Sequence, residues 1–348
     1  MYDQFATDTP IDDPDLVIEE TTADVEAEIV LGDPDDNYGW TGEEFVIQTE
    51  SNFMAVEPGW EHLRVTPGFE PFYAIYPMEF RIRQERAERG QALIHASGVR
   101  HEGQTTLFPA WRGAGKTNTL LSLLREGADI LSDDRLWVGG DGTAVGYPLG
   151  VNLQRYNIGS FSEIEPKYET ATERLRGEVY DFIDERFDRS GSLPEKAVDF
   201  LNEAYLDSGR EFVNIPELYP QSAYLEESSV DNVVFLEAAP GTDTLSLERI
   251  STETAMSTTS AICNFEWDGR LREYFHAYDS LVSDGSMVAA LDAVIERERA
   301  AFRTLFDDVA TYRADVPRER DWGEQGLDAA IAETITSLDA PRAVESMD

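Results

Sequence analysis

Between an apolar run, Gln104 to Phe108, and a stretch whose leucines recur at helical spacing, the chain reads Ala-Trp-Arg-Gly-Ala-Gly-Lys-Thr over residues 110–117. Strand, glycine-bearing loop and helix, with Lys-Thr opening the helix, is the layout that cradles phosphate groups: backbone N–H groups surround the anion, a lysine supplies a point charge and a hydroxyl supplies a metal ligand. Gly113 and Gly115 lack a Cβ and let the chain approach the phosphates, Lys116 carries the charge and Thr117 the hydroxyl for Mg²⁺. Thr119, Leu120, Leu123 and Leu124 continue the helix until Gly127 ends it. The nucleotide is therefore expected to contact Ala110, Trp111, Arg112, Gly113, Ala114, Gly115, Lys116, Thr117 and Asn118. The competing view is a chance glycine turn followed by lysine. Composition speaks against chance, because the 28 basic residues include only three lysines, Lys116, Lys167 and Lys196, and one of them fills the slot where a compact ammonium suits phosphate.

Sixty-nine acidic residues against 28 basic ones give a formal charge of −41. Scarce lysine with excess Asp and Glu resembles the proteome signature of extreme halophiles, whose molar salt screens such repulsion within a few ångströms. The charge then belongs to the environment, and runs such as Glu226–Glu227 and Asp307–Asp308 are solvated faces. No basic stripe is present, which argues against a nucleic-acid partner. The single cysteine, Cys263, excludes an intrachain disulfide and a thiolate metal cluster. An acidic N-terminus without an apolar stretch, and no run of 18 apolar residues, predict a cytoplasmic protein with no membrane partner.

Along the chain, residues 1–24 are acidic and weakly patterned and are expected to be disordered or loosely attached. Residues 25–90 hold a small β-rich section, with strands expected at Val25 to Leu31, Glu44 to Gln48, Phe53 to Val56 and His62 to Val65, and a helix over 78–90. Residues 91–160 form the phosphate-loop core, in which Ala92 to Val99, Thr105 to Phe108, Asp129 to Leu131 and Leu136 to Val138 read as strands of one central sheet. Residues 161–229 turn helical and charged, with Val179, Phe182, Ile183 and Phe187 as an amphipathic stripe. Residues 230–318 return to the α/β pattern, with strands at Val230 to Leu236, Leu245 to Ile250 and Val309 to Val316 and a helix over Met287 to Phe306; residues 319–348 read as an acidic tail.

Ser132, Asp133 and Asp134 close an apolar run not far downstream of Lys116. Paired carboxylates at a strand end beside a phosphate loop can hold Mg²⁺ and accept a proton from an attacking hydroxyl, although an Asp turn between two strands has the same look. His95 ends a strand ahead of the loop, where an imidazole can bond a phosphate or orient an aspartate, or serve only the packing. His95 and His101 alone do not make a zinc site.

These strings together, HAS at 95–97, the phosphate loop and REGADILSDD at 125–134, resemble the C-terminal domain of HPr serine kinase/phosphorylase and its HPr-kinase-like relatives. The likeness continues through YPLGVNLQRY at 147–156, NVVFLE at 232–237 and VATYRADVPR at 309–318. It implies an α/β fold of the HPr-kinase/phosphoenolpyruvate-carboxykinase type, with a small β-rich N-terminal section and a helical insertion at 161–229. It also implies ATP and Mg²⁺ as cofactors, triphosphate and metal binding by Lys116 and Thr117, Asp133 as general base, Asp134 as metal ligand or support and a possible homo-oligomer; with the imidazole read above, the expected catalytic residues are Asp133, Lys116 and His95. Two departures stand out: Ala110 replaces the first loop glycine, and Arg112 stands where the relatives carry a small polar residue. The expected activity is ATP-dependent phosphorylation of a hydroxyl, on a serine of a protein or peptide or on a small molecule. The competing expectation is an ATP-sensing binding module without phosphoryl transfer.

Overall fold

The computed structural model describes residues 9–164 and 211–338, apart from breaks at 10, 13, 15, 33–35, 50–51, 70, 148–149, 154–156, 158–159, 162–163, 243, 283–284, 318–321 and 323–325. The amphipathic stripe at Val179, Phe182, Ile183 and Phe187, and most of the expected insertion, lie outside the described residues.

A mixed six-stranded sheet carries the glycine-bearing loop 110–115. Its strands lie in the order Asp129–Ser132, Ala96–His101, Gln104–Pro109, Asn232–Ala239, Ala310–Pro317 and Ser246–Arg249. The strand that enters the loop, Gln104–Pro109, is antiparallel to Ala96–His101 and parallel to Asn232–Ala239. Side chains alternate between the two faces with the strand period of two. Leu107, Val233 and Phe235 enter one apolar core, while Phe108, Val234 and Leu236 enter a second on the opposite face.

The second core holds the helix that follows this loop, Lys116–Arg125, whose Leu120, Leu121, Leu123 and Leu124 are fully buried. Against it packs the helix Leu327–Thr336 through Leu327, Ile331 and Ile335, and an Arg125–Asp328 ion pair joins the two helices. Within the expected acidic tail at 319–348, Leu327–Thr336 is thus a helix that completes the core, with Glu333 on its exposed side; residues 339–348 lie outside the described residues.

On the other face lies a four-stranded antiparallel sheet, Glu227–Ser229, Thr143–Gly146, Leu136–Gly139 and Gln91–Ile94. The expectation of one central sheet is corrected here. The apolar run around 91–101 serves the small sheet up to Ile94 and the central sheet from Ala96, and the run 129–139 crosses in the opposite sense between Ser132 and Leu136. Both halves of each run are buried, so their hydrophobicity carries no mark of the change of sheet. His95 and Asp133–Asp134 occupy these two joints. Glu211–Val213, paired with Val151–Leu153, and Glu227–Ser229 also show that the end of the expected insertion belongs to the sheets.

The N-terminal section is a six-stranded sheet in the order Val17–Glu20, His62–Val65, Asn52–Val56, Phe45–Thr49, Asp36–Trp40 and Ile29–Gly32. Val17–Glu20, within the segment expected to be disordered, is an exposed edge strand parallel to His62–Val65, and full exposure leaves it no apolar alternation to read. The sheet docks through aromatic edges: Tyr38 on Tyr274, Phe45 on Tyr278 and Trp60 on Phe275. Those partners lie on Gly269–Leu281, a helix the sequence reading passed over, as it did Thr252–Cys263. Thr252–Cys263 is rich in Ser and Thr, which are poor helix formers, yet its cap is well made: Ser251 Oγ accepts the Thr254 N–H at 3.2 Å. The expected helices at 78–90 and Met287 to Phe306 are found as Pro71–Glu88 and Met287–Asp308.

A buried ion cluster ties Pro71–Glu88, Met287–Asp308 and the turn Asn264–Asp268 to the small sheet. Arg83 is 2.9 Å from Asp268 and 2.5 Å from Glu298, and Glu298 also accepts the Leu93 N–H at 3.2 Å. Burial raises Glu298, opposed by Arg83. Arg83→Met leaves two buried carboxylates without their cation and is expected to cost about 3–5 kcal/mol, read as a lower urea midpoint at unchanged slope.

Candidate functional site

The loop between Pro109 and Lys116 turns on two left-handed glycines, Gly113 at φ 78° and Gly115 at φ 100°. Gly115 is the residue immediately before the helix, and a Cβ there would lie 2.8 Å from the Trp322 ring. Gly115→Ala therefore meets both an unfavourable φ and a packed indole; nucleotide affinity and thermal stability are both expected to fall, the latter by about 1–3 kcal/mol, checked by calorimetry and titration. Ala110, in the first glycine slot, is fully buried and extends the strand by a parallel bridge to Leu236. Its methyl group belongs to the core beneath the loop, which explains why glycine is not needed there. Ala114 is also buried, whereas Trp111, Arg112 and Gly113 are exposed. Asn118, one turn into the helix, accepts a hydrogen bond from Asn157 at 2.6 Å.

Lys116 turns inward onto the joint between the sheets. Its Nζ is 2.9 Å from His95 Nε2 and 3.3 Å from the Ala110 carbonyl. Burial lowers the Lys116 ammonium, while the carboxylates of Asp134, Asp133 and Glu266 act in the opposite sense. His95 Nε2 is also 3.2 Å from Asp134 Oδ1, and His95 Nδ1 lies 3.6 Å from Glu266.

The two aspartates have different surroundings. Asp133 accepts the Thr117 hydroxyl at 3.2 Å through Oδ2, while its Oδ1 is buried without a hydrogen-bond partner. Burial, reinforced by the charge of Asp134, pushes the Asp133 carboxyl up to about 7. Asp134 is also penalised by burial, but Arg135, His95 and Lys116 together hold it well below the usual carboxylate range. Its Oδ2 accepts Arg135 at 3.0 Å, so both oxygens are engaged. Thr117 thus stands beside Asp133 and not Asp134. Neighbouring carboxylates with pKa values pushed apart are the arrangement in which one can take a proton while the other stays ionised.

Sequence reading missed the layer behind these groups. Arg135 also contacts Glu79 at 2.6 Å, and Glu79 accepts the Tyr147 hydroxyl at 2.6 Å. Tyr147 opens the YPLG string, the one sequence signal for this layer. The segment Asn264–Asp268 is a single π-helical turn between two helices, a rare geometry that recurs at functional sites. Four successive residues of that turn face the site or its support: Phe265 meets Trp111, Glu266 faces His95, Trp267 packs edge-on to His95 and beneath Arg135, and Asp268 pairs with Arg83.

No family model matches this chain, and no curated protein matches it. Among solved structures, the HPr(Ser) kinase/phosphatase from Coxiella burnetii superposes on 45% of this chain and 72% of that one, with 12% identity and a TM-score of 0.23. A superposition of that extent transfers no residue roles. The chain is a mixed α/β protein, and the chemistry of the site rests on its own geometry. Among the described residues no cluster of three or more His, Cys, Asp and Glu side chains is arranged to hold a metal ion, and no helix is long and apolar enough to cross a membrane.

Proposed function

We propose that the chain binds ATP with Mg²⁺ and transfers the γ-phosphoryl group to a hydroxyl, that of a serine in a protein or peptide. The observation that carries this reading is the meeting, at one sheet-to-sheet joint, of the loop residues Lys116 and Thr117 with Asp133, a buried carboxyl pushed up to about 7 and holding one unpaired oxygen.

The loop N–H groups and the helix N-terminus receive the phosphates, and Lys116 swings from His95 to the β- and γ-oxygens. The donors present fit Mg²⁺ arriving with the nucleotide, since that ion keeps waters and takes only one or two protein oxygens beside phosphate. Thr117 Oγ1 would hold it beside the phosphates, leaving Asp133 as the neighbouring base, and the bound ion would offset charge on the β- and γ-phosphates. Asp133 accepts the proton of the acceptor hydroxyl as its oxygen attacks phosphorus in line, and ADP departs. In the nucleotide-free protein burial and Asp134 push this carboxyl up to about 7, so it is a stronger base than an exposed aspartate. Asp134, fixed by Arg135 and His95, keeps its charge and positions the imidazole. The reading is tested by incubating the protein with Mg²⁺-ATP and serine-containing peptides: ADP and phosphoserine rising in equal amounts support it, whereas ADP without any phosphorylated product points to hydrolysis alone.

A further inference from the structure

We infer that the acceptor hydroxyl of this site is flanked by a cation, an ammonium or guanidinium group received by Trp111, Phe265 and Glu266. The inference deepens the phosphotransferase reading and rests on it for the identity of the reaction.

Trp111 projects from the phosphate loop and Phe265 from the π-helical turn, and their rings meet edge to face with centroids 5.2 Å apart. Trp111 is 36% exposed and Phe265 64% exposed, an uncovered aromatic pair at the mouth of an otherwise charged site. Next in sequence to Phe265, Glu266 carries an oxygen, Oε1, that is buried and has no hydrogen-bond partner. His95 Nδ1 lies 3.6 Å away, beyond hydrogen-bonding distance. A buried carboxylate oxygen lacking a donor is costly, and a cation at the part of the Glu266 side chain that stays exposed, 16%, offsets its charge. Aromatic faces beside a carboxylate favour a cation over a neutral or anionic group.

Position assigns the pair to the acceptor and not to the nucleobase. Glu266 faces His95, and His95 holds Lys116, the residue that meets the β- and γ-phosphates. The base of a bound triphosphate lies beyond the ribose and the α-phosphate, away from this lysine. Trp111 lies on the loop that would receive the phosphates and Phe265 meets it, so a group over this pair lies beside the phosphate end of the nucleotide. Phe265 and Glu266 are adjacent in the π turn, which Trp267 anchors edge-on against His95.

The test compares transfer from Mg²⁺-ATP to two serine peptides that differ only in Arg or Glu beside the serine, and to ethanolamine and ethylene glycol as small counterparts. The cationic member of each pair is expected to react with about tenfold higher kcat/KM, and Glu266→Gln and Phe265→Ala to reduce that preference toward unity. A preference in the peptide pair alone assigns the cation to a protein acceptor, and one in the small pair alone to a free amino alcohol. Equal rates within both pairs overturn the inference and leave the phosphotransferase reading standing. If no acceptor is phosphorylated, that reading falls, and the inference is then judged by binding of the same compounds to protein loaded with a non-hydrolysable ATP analogue. Tighter cation binding that Glu266→Gln removes sustains it; equal binding ends it.

Discussion

Asp133→Asn is expected to slow phosphoryl transfer by about 10²–10⁴-fold while ATP affinity stays within a few-fold of the parent. The substitution keeps the shape of the side chain and a carbonyl oxygen for the Thr117 hydroxyl, but removes the proton acceptor. It should also change how the stability of the nucleotide-free protein responds to pH. The folded-state value of about 7 lies above the unfolded value of about 4, so the folded protein holds a proton that the unfolded chain has released between those limits. The stabilising contribution of Asp133 is therefore complete below about pH 4 and is lost as pH rises through about 7. Asp133→Asn escapes that loss, and the melting temperature of the nucleotide-free variant is expected to gain on the parent across this window. Parallel melting curves from pH 4 to 8 contradict the assigned environment.

Lys116→Ala is expected to weaken ATP binding by about two orders of magnitude, the loss that follows when a charge-assisted contact to phosphate is removed from a sheltered site. The effect is local in origin. Lys116 is the cation nearest both His95 and the Ala110 carbonyl, and it lies within the influence of Asp133, Asp134 and Glu266. Lys116→Arg is not a conservative rescue, because a planar guanidinium must fit a space shaped around an ammonium that touches an imidazole and a carbonyl. Titration of parent, Lys116→Ala and Lys116→Arg with Mg²⁺-ATP separates these cases; unchanged affinity in Lys116→Ala means the nucleotide binds elsewhere.

The parts of the fold that could be read in advance are those whose local pattern and tertiary role agree. The phosphate-loop helix is apolar on the face it buries, and the long helix Met287–Asp308 likewise carries its apolar residues at helical spacing. The central strands gave their presence but not their partners. His95 and Asp133 could be singled out as chemistry-bearing residues beside a phosphate loop, yet their proximity arises because two apolar runs change sheet at the same place, a property of pairing that no single run records. Glu266 and Trp267 were invisible for a different reason. They lie far from the loop in sequence, in a π turn between two helices of ordinary composition, and their meaning comes only from the neighbours they reach. Glu79 and Arg83 belong to the same class: charged residues on a helix read as solvated, but here both are buried and paired. The exposed edge strand Val17–Glu20 marks the opposite limit, where backbone pairing alone defines the element.

The most direct test of the central claim is transfer of label from γ-labelled ATP in Mg²⁺ and molar KCl, with the protein alone and with lysate from its own source, beside Lys116→Ala and Asp133→Asn. The account predicts label on an acceptor hydroxyl with the parent, none with Lys116→Ala for want of nucleotide, and a large reduction with Asp133→Asn despite bound nucleotide. ATP bound through Lys116 with no label leaving the γ-position, in the parent as in the Asp133→Asn variant, would contradict it and make the chain a nucleotide-sensing module.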